Sequence, residues 1–175
     1  GNGLSATPTI PPGSNLDDDR TFKIDGVAPT IATITSSSPD NPVGSPAGTP
    51  YGIDDDIVID ITFSEQVELL TSSLDLVLSS GKTLSVPIIT PAALTKQVTY
   101  RVAEDDQTDL LEVTGTPTLA GSATLRDDLD NSPNDMADFT IPGTGNISET
   151  RAIKIDGIRP FVQSVTSFIA SLVDT

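Results

Sequence analysis

The sequence predicts an all-β protein folded as an antiparallel sandwich, and three observations lead to this prediction. Apolar residues alternate with polar ones in about nine short segments, which is the period of a strand with one buried face. Turn-forming residues interrupt the chain about every 8 to 12 residues, as in sandwiches with short connections. The apolar residues are mainly Ile, Val and Leu, with 5 Phe, 2 Tyr and no Trp, and no segment keeps a helical period.

The strands are assigned in chain order from this alternation. Ile31 and Ile34 predict a strand over 30–35, and the Ser-, Pro- and Gly-rich run 36–52 predicts a long loop. Residues 56–63 alternate most strictly, and the interruption at 64–66 before 67–70 predicts a bulge. Residues 74–78 and 84–88 flank a Ser-Ser-Gly-Lys turn and predict a hairpin. The remaining predicted strands are 98–102, 110–113, 122–125, 137–141 and the pair 21–25 and 152–156.

One stretch of the chain occurs twice. Arg20-Thr-Phe-Lys-Ile-Asp-Gly-Val-Ala-Pro29 is matched by Arg151-Ala-Ile-Lys-Ile-Asp-Gly-Ile-Arg-Pro160, an offset of 151 minus 20, or 131 residues. The same offset relates Asn15 to Asn146. Repetition at the length of an ordinary domain is typical of tandem arrays.

The repeat divides the chain into three parts. We expect residues 1–24 to be the end of a preceding repeat, 25–157 to be a complete repeat, and 158–175 to be the start of a following repeat. Neighbouring repeats of the same chain are therefore its first expected partners.

The charge balance limits the other partners. The chain has 9 Lys and Arg against 25 Asp and Glu, a formal net charge of -16. This balance argues against nucleic acid and anionic membrane surfaces, and it favours divalent cations. Cysteine is absent, so disulfides and thiolate metal sites are excluded. No long apolar segment occurs, and no membrane insertion is expected in this segment.

Catalysis is not expected. The chain lacks His and Cys, and it has neither a Gly-x-Ser-x-Gly elbow nor a phosphate-binding glycine loop. Acid pairs remain as candidates for glycoside hydrolysis, but 25 acids make chance pairs inevitable. We therefore predict a protein that is not an enzyme.

Three motifs resemble those of a known family. The junctions Ile24 to Pro29 and Ile155 to Pro160, both Ile-Asp-Gly-x-x-Pro, look like its Asp-Thr-x-x-Pro linker. Tyr51-Gly-Ile-Asp-Asp-Asp-Ile-Val-Ile-Asp-Ile-Thr-Phe-Ser-Glu65 is similar to its Tyr, Gly-Asp, strand, Phe-Ser-Glu run. Thr99-Tyr-Arg-Val102, before an Asp-rich loop, resembles the segment that crosses between its sheets. The family is the immunoglobulin-like, cadherin-like tandem repeats of large bacterial surface proteins and adhesins.

The resemblance implies both a fold and a function. It implies a Greek-key, immunoglobulin-like β-sandwich on the bacterial cell surface, in a stalk or adhesive array with calcium near the junctions. One motif departs from the family, because its Asp-x-x-Gly-Asn turn is represented by Asp127-Asp-Leu-Asp-Asn-Ser-Pro-Asn-Asp135, which has no glycine.

The resemblance also suggests which oxygens bind calcium. Calcium takes about six to eight oxygen ligands, so acids distant in sequence must converge. We expect Asp156, Glu65 and the turn from Asp127 to Asn131 to meet at one end of the sandwich, with Asp25 serving a preceding repeat in the same way. The candidate metal ligands are Asp25, Asp156, Glu65, Asp127, Asp128, Asp130 and Asn131.

A structural alternative stands beside each acidic candidate. Asp25 and Asp156 alternatively cap turns by accepting backbone N–H groups, as Asp commonly does beside Gly. The acidic runs 17–19 and 54–56 are alternatively solvated loops, and the runs 104–109 and 127–135 are alternatively polar turns.

The function also has an alternative. The first hypothesis is a calcium-stiffened stalk or spacer module. The second is a ligand-binding module that contacts a glycan or a host or cell-surface protein through the 36–52 loop or a sheet face. Only Tyr51 is aromatic near that loop, which argues against sugar stacking.

Overall fold

The structure, a computed structural model, describes residue 13 and residues 25–41, 44–128 and 133–166. These residues form antiparallel sheets with a single helical turn, so the all-β prediction is confirmed. The elements in chain order are β1 (Ile31–Ser36), β2 (Asp56–Leu69), β3 (Leu74–Val77), β4 (Thr83–Val86), β5 (Ile89–Arg101), β6 (Gln107–Thr108), β7 (Thr118–Leu119), β8 (Leu125–Asp127), α1 (Ile147–Thr150) and β9 (Ile155–Asp156).

Strand β2 is the centre of the first sheet. Strand β5 pairs along one edge of β2, from Asp56 opposite Arg101 to Leu69 opposite Ile89. The other edge is shared by two strands, because β1 pairs with the earlier part of β2 and β8 pairs with residues 67–69. The N-terminal end of β1 and the C-terminal end of β8 therefore approach each other beside β2.

The remaining strands cover the other side of the core. Strand β3 pairs with both β4 and β7, and β6 pairs with β9. The segment after β6 joins this layer through a bridge between Leu78 and Val113 and through the N–H of Leu111, which donates to the carbonyl of Ile153 at 2.8 Å.

One apolar core joins the layers. Ile57, Ile59 and Ile61 of β2 are fully buried, as are Leu74 and Leu76 of β3, and all belong to the same cluster. Burying each such side chain stabilises the fold by about 1.5–3 kcal/mol. The strict alternation in 56–63 therefore has its expected cause, a strand with one face on the core.

Several strand assignments differ from the structure. The bulge is confirmed, since the pairing of β2 with β5 shifts register between Thr62 and Val67. Strand β5 begins at Ile89, whereas the sequence predicted a strand beginning at 98. The prediction missed residues 89–97 because the Pro and Ala residues of 91–93 give no alternation. The strand over 137–141 is wrong, because this segment packs partly against the core without pairing. Residues 21–24 of the predicted strand 21–25 lie outside the described part of the chain.

Asn146, a residue that recurs in the repeat, has a structural role. It caps the N-terminus of α1, where its Oδ1 accepts the N–H of Ile147 at 2.8 Å. The same oxygen accepts the N–H of Val113 at 3.0 Å, and its Nδ2 donates to the carbonyl of Val113 at 2.9 Å. One side chain thus satisfies three backbone groups.

Replacing Asn146 with alanine is expected to lower the free energy of unfolding by about 2 kcal/mol, because half-buried backbone groups lose their partners. Asn146→Asp keeps the acceptor and loses the donor, so it should cost less than alanine. Urea denaturation of the three proteins measures the difference. Equal stability of the alanine variant and the parent chain would contradict this role.

Candidate functional site

The predicted metal ligands that the structure describes lie near the two ends of β2. One group of residues lies beside the C-terminal part of β2 and contains Asp25, Glu65, Asp127 and Asn134. We call this the Asn134 end. Asp127 is 1% exposed, and its two carboxylate oxygens accept the backbone N–H of Asn134 at 3.0 Å and its Nδ2 at 2.7 Å. The Nδ2 of Asn134 also donates to the carbonyl of Asp25 at 3.3 Å. Asn134 therefore brings Asp25 and Asp127 together.

Glu65 lies on β2 close to this group. It stands two residues before Val67, which pairs with Asp127. The register of β2 shifts between Thr62 and Val67, so Glu65 is placed near Asp127 by its position along the strand and not by a shared face.

Asp156 lies at the opposite end, called the Tyr51 end. Its N–H donates to the carbonyl of Tyr51 at 2.8 Å, and it pairs with Gln107. Strand β2 begins at this end, with Asp56 paired to Arg101. From Asp56 to Val67, eleven steps of about 3.3 Å give a separation of about 36 Å. The expectation that Asp156, Glu65 and Asp127 meet at one end is therefore wrong.

The recurring aspartates make the same turn. The Oδ1 of Asp25 accepts the N–H of Val27 at 3.1 Å, and the Oδ1 of Asp156 accepts the N–H of Ile158 at 3.1 Å. Such bonds are the usual way in which Asp stabilises a turn. The turn accounts for the recurrence of this aspartate, in agreement with the structural alternative that Asp25 and Asp156 cap turns.

The acidic side chains of the described residues are not clustered. Within 25–41, 44–128 and 133–166, no three acidic side chains are grouped so that they could hold a metal ion. Asp128 is exposed, and Asp130 and Asn131 lie outside the described residues. At the Asn134 end, both Asp127 oxygens already accept hydrogen bonds.

The acidic run 54–56 at the Tyr51 end is held by protein groups. The Arg101 guanidinium pairs with Asp54 at 3.2 Å and with Asp56 at 3.3 Å. Asp55 accepts the N–H of Gly52 at 2.8 Å. Arg101 thus offsets the repulsion between consecutive carboxylates.

The loop 104–109 contains a buried carboxylate that sequence reasoning missed. Asp106 is fully buried, and its Oδ2 accepts the Tyr100 hydroxyl and the N–H of Ala103, both at 2.7 Å. Its Oδ1 faces the Lys82 ammonium at 3.3 Å as an ion pair, without hydrogen-bond geometry. Nothing in the sequence separates Asp106 from Asp105, since burial is decided by the packing of the loop.

Tyr100 stays a hydrogen-bond donor in this group. Burial raises the pKa of its hydroxyl, the hydroxyl of Ser80 lowers it, and the hydrogen bond and charge of Asp106 raise it further. The neutral phenol therefore holds the buried carboxylate across the physiological pH range.

The outer acids of the same loop also have partners. Glu104 pairs with Arg159 at 3.1 Å. Asp109 accepts from the Lys154 ammonium at 2.5 Å, a hydrogen bond that lowers the pKa of Asp109 and raises the pKa of Lys154. Both contacts join this loop to the segment around β9.

The 36–52 loop buries its aromatic residue. Tyr51 is 3% exposed, and its hydroxyl donates to the carbonyl of Pro39 at 2.7 Å. A sugar cannot stack on a buried ring, so the glycan version of the binding hypothesis loses its aromatic contact.

Comparison with known proteins gives no relative. No protein-family model, no curated protein and no solved structure matches the chain. Among the described residues, no helix has the length and apolar character needed to cross a membrane. The class that the structure defines is thus an antiparallel, sandwich-like all-β protein in which the recurring aspartates, Asp25 and Asp156, lie at opposite ends.

Proposed function

We propose that this chain is a non-catalytic spacer module of a tandem array on a bacterial cell surface, with a Greek-key, immunoglobulin-like topology. One observation carries the proposal: the first junction motif enters beside the Asn134 end, and the second leaves beside the Tyr51 end. Modules with this arrangement lengthen an array with each copy. The surface location rests on the family resemblance alone.

Scattering from a fusion of two copies tests the spacer role. Joining residues 1–157 directly to residues 27–175 keeps the Ile-Asp-Gly-Val-Ala-Pro motif and gives two complete modules. We expect the maximum dimension in small-angle scattering to exceed that of the single chain by at least about 36 Å, the length of the eleven strand steps of β2. A fusion that lengthens by only about 10 Å, the spacing of packed sheets, would contradict the spacer role.

The proposal extends to calcium at the Asn134 end. The described residues proposed to supply oxygens there are Asp25, Glu65, Asp127 and Asp128, and the proposal also includes Asp130 and Asn131, which lie outside the described residues. The Nδ2 of Asn134 links the backbone carbonyl of Asp25 to the carboxylate of Asp127, and Glu65 lies on the adjacent strand. A bound cation would offset the repulsion among these acids. The spacer role itself does not depend on the ion.

Calcium binding is tested by thermal unfolding in chelator and in millimolar calcium, with magnesium as the control for screening. Calcium at 100 times its Kd stabilises by about 2.7 kcal/mol, which corresponds to a Tm increase of roughly 5–10 °C for a chain of this size. An equal increase in magnesium would refute a specific calcium site.

Asp25→Asn and Asp156→Asn form a matched pair for this experiment. Both keep an oxygen for the turn and both lose a carboxylate, but they lie at opposite ends. We expect the calcium-dependent increase in Tm to be lost in Asp25→Asn and kept in Asp156→Asn. The reverse result would move the site to the Tyr51 end.

A further inference from the structure

The two copies of the Ile-Asp-Gly-x-x-Pro motif are buried at different positions. In the second copy, Ile155 and Gly157 are buried while Pro160 is exposed. In the first copy, Gly26 is exposed and Pro29 is buried. Equivalent residues of one motif therefore contact protein in one copy and solvent in the other.

In the second copy, the module before the motif holds its first half. The N–H of Gly157 donates to the carbonyl of Asp106 at 2.7 Å, and the N–H of Asp105 donates to the carbonyl of Gly157 at 3.2 Å. The N–H of Asp156 donates to the carbonyl of Tyr51. The contact is close, since a Cβ on Gly157 would lie 2.3 Å from the carbonyl oxygen of Ala103.

In the first copy, the module after the motif holds other atoms. The Nδ2 of Asn134 donates to the carbonyl of Asp25. Directly after the motif, the N–H of Thr30 donates to the Oγ of Ser64 at 3.0 Å, and the N–H of Ser64 donates to the carbonyl of Thr30 at 2.9 Å. No atom of the described residues lies within 4 Å of a Cβ built on Gly26.

The two sets of contacts use different atoms of the motif. The preceding module binds the N–H of the aspartate and both backbone groups of the glycine, whereas the following module binds the aspartate carbonyl and buries the proline. In both copies the aspartate side chain binds the N–H two residues later. One motif can therefore accept both modules at once.

We propose that each junction of the array is held by hydrogen bonds from both modules. A second copy of this fold then docks directly against the Tyr51 end in a fixed orientation, and this docking does not require a metal ion. From Gly157 to Pro160 the chain makes three steps of at most about 3.6 Å, or about 11 Å. A linker this short leaves no room for a flexible spacer between two modules that bind its two ends.

An exposed apolar residue at one motif position fits this contact. Val27 is 69% exposed and Ile158 is 45% exposed, and they occupy the same position at the 131-residue offset (158 minus 27). Within a single module, apolar neighbours bury neither of these two side chains. Direct contact between modules would enclose this side chain and remove its apolar surface from water.

The inference rests on the proposed array, and the same fusion of residues 1–157 with 27–175 tests it. The chain has no cysteine, so one cysteine replacing the exposed Thr99 in each copy permits double spin labelling. We expect a narrow distance distribution between the labels that is the same in chelator and in calcium. A broad distribution in chelator would overturn the inference, while lengthening in scattering would still support the array.

Two variants identify the contact that holds the junction. Asn134→Ala in the second copy removes the hydrogen bond to the junction aspartate and should broaden the distance distribution. Asn134→Ala in the first copy leaves the junction intact, so it controls for the loss of the contact between Asn134 and Asp127. Inserting Gly-Gly between the fused segments should broaden it without altering either module. Equal widths for the two Asn134→Ala variants, or a parent as broad as the insertion variant, would overturn the inference.

Discussion

Gly157→Ala is expected to lower the free energy of unfolding by about 3 kcal/mol, the cost of forcing a methyl group into a packed site that cannot relax easily. The new Cβ would lie 2.3 Å from the carbonyl oxygen of Ala103 and 2.9 Å from that of Asp106. Both contacts are with backbone, so relief requires the loop 103–106 to move away from β9. Urea denaturation with an unchanged m-value measures the loss.

The chain supplies a matched control for this prediction in its other copy of the motif. Gly26 follows the same Ile-Asp pair, but beyond its two chain neighbours the built Cβ meets nothing within 4 Å among the described residues. Gly26→Ala should therefore change stability by less than about 0.5 kcal/mol, as surface substitutions usually do. Similar losses for the two variants would show that the glycine is needed for the turn rather than for the contact with the module.

Asp106→Ala is expected to cost about 3 kcal/mol. The substitution leaves the buried Tyr100 hydroxyl with only Ser80 as a partner and the half-buried N–H of Ala103 without one. Losing a partner for a buried polar group costs about 1–3 kcal/mol, and the missing carboxylate leaves a cavity beside Tyr100 that adds to the loss. Lys82 adds little, because its side chain is 47% exposed and water can replace the ion pair.

Asp106→Asn separates hydrogen bonding from charge. Its amide oxygen can replace the Oδ2 that accepts from Tyr100 and Ala103, so it should restore at least half of the stability lost in the alanine variant. Chemical denaturation at pH 7 and at two salt concentrations measures the three proteins. An asparagine variant as unstable as the alanine variant would mean that the ion pair with Lys82 dominates instead.

The local pattern of the sequence predicted the parts of the fold that depend on neighbouring residues. The alternation over 56–63 determined the buried face of β2, and the Ser-Ser-Gly-Lys turn determined the hairpin of β3 and β4, which pair from Leu74 opposite Val86. The break at 64–66 also predicted the register shift. These features follow from strand geometry and turn chemistry, which are local properties.

Local pattern failed where pairing partners decide the structure. Residues 89–97 belong to β5 because β2 extends beside them, although their own sequence shows no alternation. Residues 137–141 alternate like a strand, yet Phe139 and Ile141 pack partly against the core, and no strand of the described part of the chain pairs with them. Hydrogen-bonded partners distant in sequence are not encoded in the period of a short segment.

The candidate site shows the same division. The sequence by itself determined the repeat, its 131-residue offset, the all-β class and the acids available to a cation. Only the tertiary structure decided that Asp25 joins Asp127 through Asn134 while Asp156 lies at the other end. It also decided that Asp106 is buried rather than solvated. The physical reason is that position along β2 and burial by packed loops depend on which strands pair, and pairing joins residues that are far apart in the sequence.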